Sequence, residues 1–207
     1  MAKAGKRLSQ QERTEQTRSR LLKAAERIFA RDGFEAAKLE EICARAGYTR
    51  GAFYANFQSK EDLFIAMLQE EALKQLAGVR LALDPARGSK AKLRALRKYT
   101  VELPRDHTWA VLFTEFRLFA LRHPELKAKL AKMHRRIFAA TIATMDEVFA
   151  AAGTKLPMST LAFAISVGGL AYSLELDRLV SRSVSERDIS AVLGLLFDAA
   201  TRKRGRA

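Results

Sequence analysis

The sequence predicts an all-α protein of about nine helices, with a three-helix head at the N-terminus and a larger helical body behind it. Three observations carry that prediction. Apolar residues recur at three- and four-residue spacing along almost the whole chain. No stretch alternates with β-branched residues in the manner of a strand, and only four prolines interrupt 207 residues. Helix starts are marked by Ser-x-x-acid patterns.

Ser9-Gln-Gln-Glu12 is such a capping box, so the first helix begins at Ser9 and is under way by Arg13. Leu21, Ala24, Ala25, Ile28 and Phe29 form its apolar face, and Gly33 is a natural stop. A short helix covers Leu39 to Arg45, with Leu39, Ile42 and Cys43 on one side and Gly47 ending it. Another covers about Arg50 to Asn56. Ser59-Lys-Glu-Asp62 caps a longer helix lasting until about Leu83, with Leu63, Phe64, Met67 and Leu68 on its apolar face. Asp84 to Ser89 reads as a loop. Five more helices follow, at about 89–103, 106–122, 124–152, 158–180 and 185–201. Pro104, Pro124 and Pro157 mark three of the breaks, Pro124 as a first-turn proline. Ser185-Glu-Arg-Asp188 opens the last helix with a further capping pattern.

Charge is unevenly spread. Lys and Arg number 37 against 23 Asp and Glu, a net +14. Residues 1–60 carry 13 basic and 7 acidic side chains, whereas the middle 140 residues carry only +4. The end adds Arg202, Lys203, Arg204 and Arg206 with no acid. A basic head on a near-neutral body suits a polyanion. The tail itself reads as a solvated, frayed end, with added non-specific DNA affinity as the other reading. The single cysteine, Cys43, excludes an internal disulfide framework and a cysteine-based zinc finger. The longest nearly apolar run, Leu161 to Leu174, is 14 residues long and holds Ser166, Gly168-Gly169 and Ser173. A bilayer span needs roughly 20. Ser9-Gln-Gln-Glu12 stands where a signal peptide needs an apolar run. The expectation is a cytoplasmic protein with no membrane partner.

Leu39–Arg45, the turn Ala46-Gly47-Tyr48 and the helix from Thr49 have helix-turn-helix spacing. Phe53 and Phe57 read as core anchors, which leaves Tyr48, Thr49, Arg50, Tyr54 and Asn56 facing outward. Gly51 and Ala52 are small enough for close approach to another surface. Thr49 can cap the second helix, whose free N–H groups suit a phosphate. The donor fork of Arg50 suits a guanine edge in the major groove, and Lys60 suits a backbone phosphate. On spacing alone, two packed helices without a nucleic-acid partner fit equally well.

The residues themselves narrow the choice. Residues 47–64, Gly-Tyr-Thr-Arg-Gly-Ala-Phe-Tyr-Ala-Asn-Phe-Gln-Ser-Lys-Glu-Asp-Leu-Phe, resemble the TetR family of bacterial transcriptional repressors, of the AcrR-like kind. Ala24 to Phe34 and Glu41 to Gly47 resemble that family's first and second helices, and the similarity covers about 18–64. The resemblance implies a helix-turn-helix DNA-binding domain over 1–60, a helical ligand-binding and dimerisation domain over 61–201, and a basic tail over 202–207. It also implies that Thr49 and Arg50 are the main groove contacts, with Tyr48 beside them. Tyr54 and Lys60 would bind phosphate, and Thr17 or Arg18 would reach the backbone. Two departures stand out. Ala37 and Lys38 occupy the place of a capping, phosphate-touching Thr pair, so Lys38 would substitute a charge for a hydroxyl. Cys43 fills a position normally given to Ala and reads as a small buried hydrophobe, or else as a redox-sensing thiol.

In the body, Trp109, Phe113, Phe116 and Ala120 share one helix face, and Leu112 and Phe119 widen it. Val111, Leu118 and Leu121 make this helix apolar nearly all round, as expected of an interior helix. Phe138, Met145 and Phe163 can line the same interior, either as core or, as the resemblance implies, as the wall of an effector pocket. Arg117 and Glu115 lie in the same helix, to orient a polar ligand group, pair internally or face solvent. Ile189, Val192, Leu193, Leu196 and Ala199 or Ala200 form a stripe on the last helix. Leu161, Ile165, Gly168, Gly169 and Tyr172 form one on the helix before it. The stripes either cover the core or, as in the resembled family, pair with a second copy to give a homodimer.

An enzyme is the rival class. His107, His123 and His134 are the only histidines, none with a His partner four residues away, and no Gly-x-Ser-x-Gly occurs. His123 reads as a helix cap before Pro124, and His134 as one more polar residue beside Arg135 and Arg136. Gly168-Gly169 has no strand before it to make a phosphate loop. No catalytic residue, metal or cofactor is expected. The expected function is a dimeric repressor that binds a palindromic double-stranded DNA operator and is released by a small, largely apolar effector. An architectural DNA-binding protein without effector is the alternative, and a fully packed interior would favour it.

Overall fold

The structure, a computed structural model, describes residues 9–103 and 106–202. Among these residues the chain forms nine helices and no strand: α1 (Gln10–Ala36), α2 (Leu39–Ala46), α3 (Arg50–Tyr54), α4 (Lys60–Leu83), α5 (Ser89–Val101), α6 (His107–Leu121), α7 (Pro124–Ala151), α8 (Thr160–Ser181) and α9 (Glu186–Thr201). No helix of the described residues is long and apolar enough to cross a membrane. Pro104 and the tail from Lys203 onward lie outside the described residues.

Caps set the starts. The Ser9 hydroxyl accepts from Glu12 N at 3.2 Å while the Glu12 carboxylate accepts from Ser9 N at 2.7 Å, and Ser185 and Asp188 repeat the box at α9. Asp106 caps α6 by accepting from Thr108 N at 2.8 Å. His123 occupies the residue before α7, but its side chain caps nothing there. Its Nδ1 lies 2.8 Å from the Phe119 carbonyl and its ring stacks on Phe119, so it closes α6 instead of opening α7. Gly33 takes φ +78 within the span of α1. That left-handed step ends the regular helix and turns Phe34 into the interior.

The interior falls into two apolar clusters. One joins α1–α3 and Leu63 to Leu68 of α4 with Trp109, Leu112, Phe116 and Ala120 of α6 and Leu126, Leu130 and Met133 of α7. The other joins Val79 and Leu83 of α4 with α5, the far half of α7, α8 and α9. At the centre of the first, Phe64 stacks on Phe116 with ring centroids 4.3 Å apart, and Phe34 meets Phe116 edge-on at 5.0 Å. Each fully buried Phe is worth about 1.5–3 kcal/mol relative to exposure. α6 is not interior all round, as its composition suggested. Val111, Leu118 and Leu121 are exposed, because the helix packs on α1, α7 and α8 and leaves one flank bare.

Candidate nucleic-acid interface

The head is organised by the turn after α2. Gly47 takes φ +76, Gly47 N donates to Ala44 O at 3.1 Å, and Tyr48 N donates to Cys43 O at 2.9 Å. This is a Schellman closure, which needs a residue at ease in the left-handed region. It redirects the chain into α3. Phe53 and Phe57 are buried, as expected, and they fix which side of α3 faces out. Thr49 and Arg50 stand exposed, and so does Tyr54. Thr49 Oγ1 accepts from Ala52 N at 3.3 Å, which leaves its hydroxyl proton available.

Arg50 is held from two sides. Its Nη1 lies 3.0 Å from Glu40 Oε1 on α2, and its Nη2 donates to the Tyr54 hydroxyl at 3.5 Å. Sequence reasoning missed Glu40, because a turn separates it from Arg50 and only the folded head brings them together. Its neighbour Glu41 turns the other way and pairs with Arg31 at 2.6 Å. Burial and the Glu40 charge push the Cys43 thiol up, against the lowering influence of Arg50. A buried thiol of this kind fits the hydrophobe reading.

The remaining head residues divide. Lys38 is exposed at the residue before α2 and makes no side-chain cap there. Tyr48 is half-buried against the first cluster. Thr17 donates back to the Arg13 carbonyl at 2.8 Å within its own helix. Arg18 lies over the Phe57 ring, 4.4 Å from its centroid, and donates to Asn56 O at 3.4 Å, so it ties α1 to the end of α3. Lys60 is a correction. Its Nζ donates to the carbonyls of Glu35 and Ala37, both at 3.0 Å, and sits 4.9 Å from the centroid of Phe34. Burial holds this ammonium below the ordinary lysine range. It staples the α1–α2 connection instead of facing a phosphate, because that turn leaves two carbonyls that need a donor.

The residues expected to line an effector pocket do not form one wall. Phe116 is fully buried between Phe34 and Phe64, and Trp109 lies in the same cluster. Phe163 is fully buried between Phe149 and Phe197, with Met145 in that second cluster. Phe116 and Phe163 are therefore core, each enclosed by neighbouring rings. Phe113, Phe138 and Arg117 do converge. The Arg117 guanidinium lies 5.4 Å from the centroid of Phe113, and His134 sits between Phe113 at 6.0 Å and Phe138 at 5.6 Å. Tyr172 completes the group at 5.8 Å from Phe113, its hydroxyl accepting from Gln75 Nε2 at 3.2 Å. Sequence reasoning missed the place of His134 here, for which its four-residue spacing to Phe138 was the available signal. Burial and the Arg117 charge hold its imidazole below its ordinary value. Glu115 pairs internally, accepting from Phe34 N at 3.2 Å.

The two stripes expected to pair copies also divide. On α8, Leu161 and Ile165 are exposed, and nothing lies within contact of a side chain built at Gly168 or Gly169. Tyr172 turns inward to Gln75 and Phe113. On α9, Ile189 and Leu193 are fully buried in the second cluster of their own chain, which corrects their assignment to an interface. The outward apolar residue is Leu195, 70% exposed, with Val192 and Leu196 half-buried beside it. The apolar stripe on α9 is wide enough to serve both faces, and spacing alone does not say which residues turn in.

Comparison with known proteins agrees with this head. The family described as "Bacterial regulatory proteins, tetR family" matches residues 21–67. The HTH-type transcriptional activator FasR of Mycolicibacterium smegmatis is 38% identical over 91 residues, 44% of this chain and 40% of the relative. The HTH-type transcriptional regulator UidR of Escherichia coli K12 is 28% identical over 121 residues, 58% of this chain and 60% of the relative. The chain thus spans about half the length of these curated relatives. The solved structure of the transcriptional regulator FadR from Bacillus subtilis, in complex with stearoyl-CoA, shares the fold with a TM-score of 0.63 at 17% identity, over 90% of this chain and 99% of that one. The head, from the first apolar residues of α1 to the start of α4, carries the match to the model of the tetR family of bacterial regulatory proteins, and the helices behind it share the fold of solved regulators.

Proposed function

We propose that the protein is a dimeric transcriptional repressor that binds a palindromic DNA operator and is released by a small, largely apolar effector. Residues 1–60 read DNA, 61–201 bind effector and pair the copies, and 202–207 form a basic tail. The observation that carries the DNA reading is Arg50, exposed on α3 with its guanidinium held between Glu40 and Tyr54. Such a fork is suited to guanine O6 and N7 in the major groove. Thr49 and Tyr48 flank it, and Tyr54 and Lys38 contact phosphates. Thr17 and Arg18 are candidate backbone contacts on α1, Arg18 through the N–H groups it does not spend on Asn56.

Pairing is supported by the bare apolar faces of α8 and α9 at Leu161, Ile165 and Leu195. Two-fold pairing sets two reading helices on one duplex and calls for a two-fold symmetric site. The effector is assigned to Phe113, Phe138, Tyr172 and His134, with Arg117 at the edge to meet a polar group. A ligand there acts only through its different affinity for the DNA-fitting and DNA-misfitting arrangements. The stearoyl-CoA in the FadR structure supports an effector of apolar character, and it does so through fold alone. The burial of Trp109, Phe116, Met145 and Phe163 in core favours the architectural alternative.

The test is selection of bound fragments from genomic DNA, footprinting of the enriched site, and a ligand screen for release. A protected two-fold site, affinity falling steeply with salt, and release by an apolar compound are expected. A flat salt dependence would overturn the DNA reading. A symmetric site that no compound releases would favour the architectural one.

A further inference from the structure

Glu40 and Glu41 open α2 side by side, yet they serve different partners. Glu41 meets Arg31 on α1, within the head. Glu40 meets Arg50, at the start of the reading helix, at 3.0 Å. We propose that Glu40 is a specificity-determining residue, which holds the Arg50 fork in its base-reading pose and penalises duplexes that offer that fork no guanine. This inference rests on the reading of Arg50 as a base contact.

Arg50 has five N–H donors in a fixed plane. Glu40 engages Nη1 from α2, and the Tyr54 hydroxyl engages Nη2 from one turn further along α3, so two tethers orient the plane. Nε–H and the second proton of Nη2 make an edge for the N7 and O6 acceptors of guanine. Both partners of the ion pair are largely exposed, with side-chain exposures of 59% and 63%, so the pair adds little to folding. Its consequence lies in binding. A carboxylate at a DNA-facing surface is repelled by phosphates, and it is tolerated only where Arg50 gains a base contact that offsets the repulsion. Specificity of this kind needs the repulsive element as well as the attractive one.

The experiment measures base preference by selection from a random duplex library, with the full-length chain and its Glu40→Gln, Glu40→Asp and Arg50→Ala variants. Glu40→Gln is expected to bind unrelated duplex several-fold more tightly at low salt. It should lose about tenfold of its preference for guanine at the Arg50 position. Glu40→Asp should keep part of that preference. In an Arg50→Ala background, Glu40→Gln should change base preference no further, which separates positioning from a general effect on α2. A matched thermal melt confirms that each variant is folded. An unchanged guanine preference in Glu40→Gln, with Arg50→Ala losing it, would overturn the role of Glu40 alone. An unchanged preference in Arg50→Ala would overturn the reading on which it rests.

Discussion

The Glu115 carboxylate of α6 accepts a hydrogen bond from the backbone N–H of Phe34 at 3.2 Å. It does so beside Gly33, where a Cβ would lie 3.2 Å from the same carboxylate oxygen. A polar bond from the body therefore closes the one left-handed step of α1. Glu115→Ala should lower stability by about 1 kcal/mol through the lost acceptor. Gly33→Ala should cost more, since it adds both φ strain and crowding of that carboxylate. Urea denaturation measures both, and a Gly33→Ala variant as stable as the parent would count against this relationship.

Lys60 provides a second prediction. Because its ammonium is held by two backbone carbonyls, Lys60→Met should destabilise the chain by about 1–2 kcal/mol. It should leave the slope of log affinity against log salt unchanged, whereas loss of a phosphate contact lowers that slope by about one. A smaller slope in a still-folded Lys60→Met protein would restore the phosphate role.

A third concerns the outward faces. Leu195 and Ile165 are exposed, so Leu195→Asp and Ile165→Asp should keep the helical spectrum yet sediment as monomers. Leu193→Asp places a charge in the second cluster and should unfold the chain or cost several kcal/mol. Sedimentation velocity decides, and a dimer that survives both surface changes would rule out this face.

The His134 imidazole is held below its ordinary value of 6.5 by burial and by Arg117. The unfolded chain therefore binds the proton more readily than the folded one. The stability this provides is complete above about pH 6.5 and falls as pH drops from there through the folded value. His134→Phe should flatten the thermal midpoint between about pH 8 and 5.5, with carboxylate titrations setting in below. Identical pH profiles for parent and variant would sink the assignment.

Helix order and caps were legible in the sequence because they are local: a Ser three residues before an acid, or a Gly after an apolar turn, acts within one helical turn. Orientation was less so. Periodicity puts Lys60 and Phe116 on the right helices. What each side chain faces depends on contacts with Glu35 and with Phe34, and those come from distant turns. The outward face of α3 was readable because burial of Phe53 and Phe57 leaves its other side chains no inward option. Glu40 was not, since its meaning arises only once α2 and α3 are folded against each other.

The first apolar cluster has a consequence for exchange between relatives. Phe29 and Phe34 of the head complete their packing only with Phe64 and Phe116, which lie beyond residue 60. A head cut at that point would expose an unfilled aromatic face to water. Grafting it onto another regulator's body would succeed only if matching rings came with it. In this chain the three-helix head is thus no portable cassette, since its packing is completed by α4 and α6.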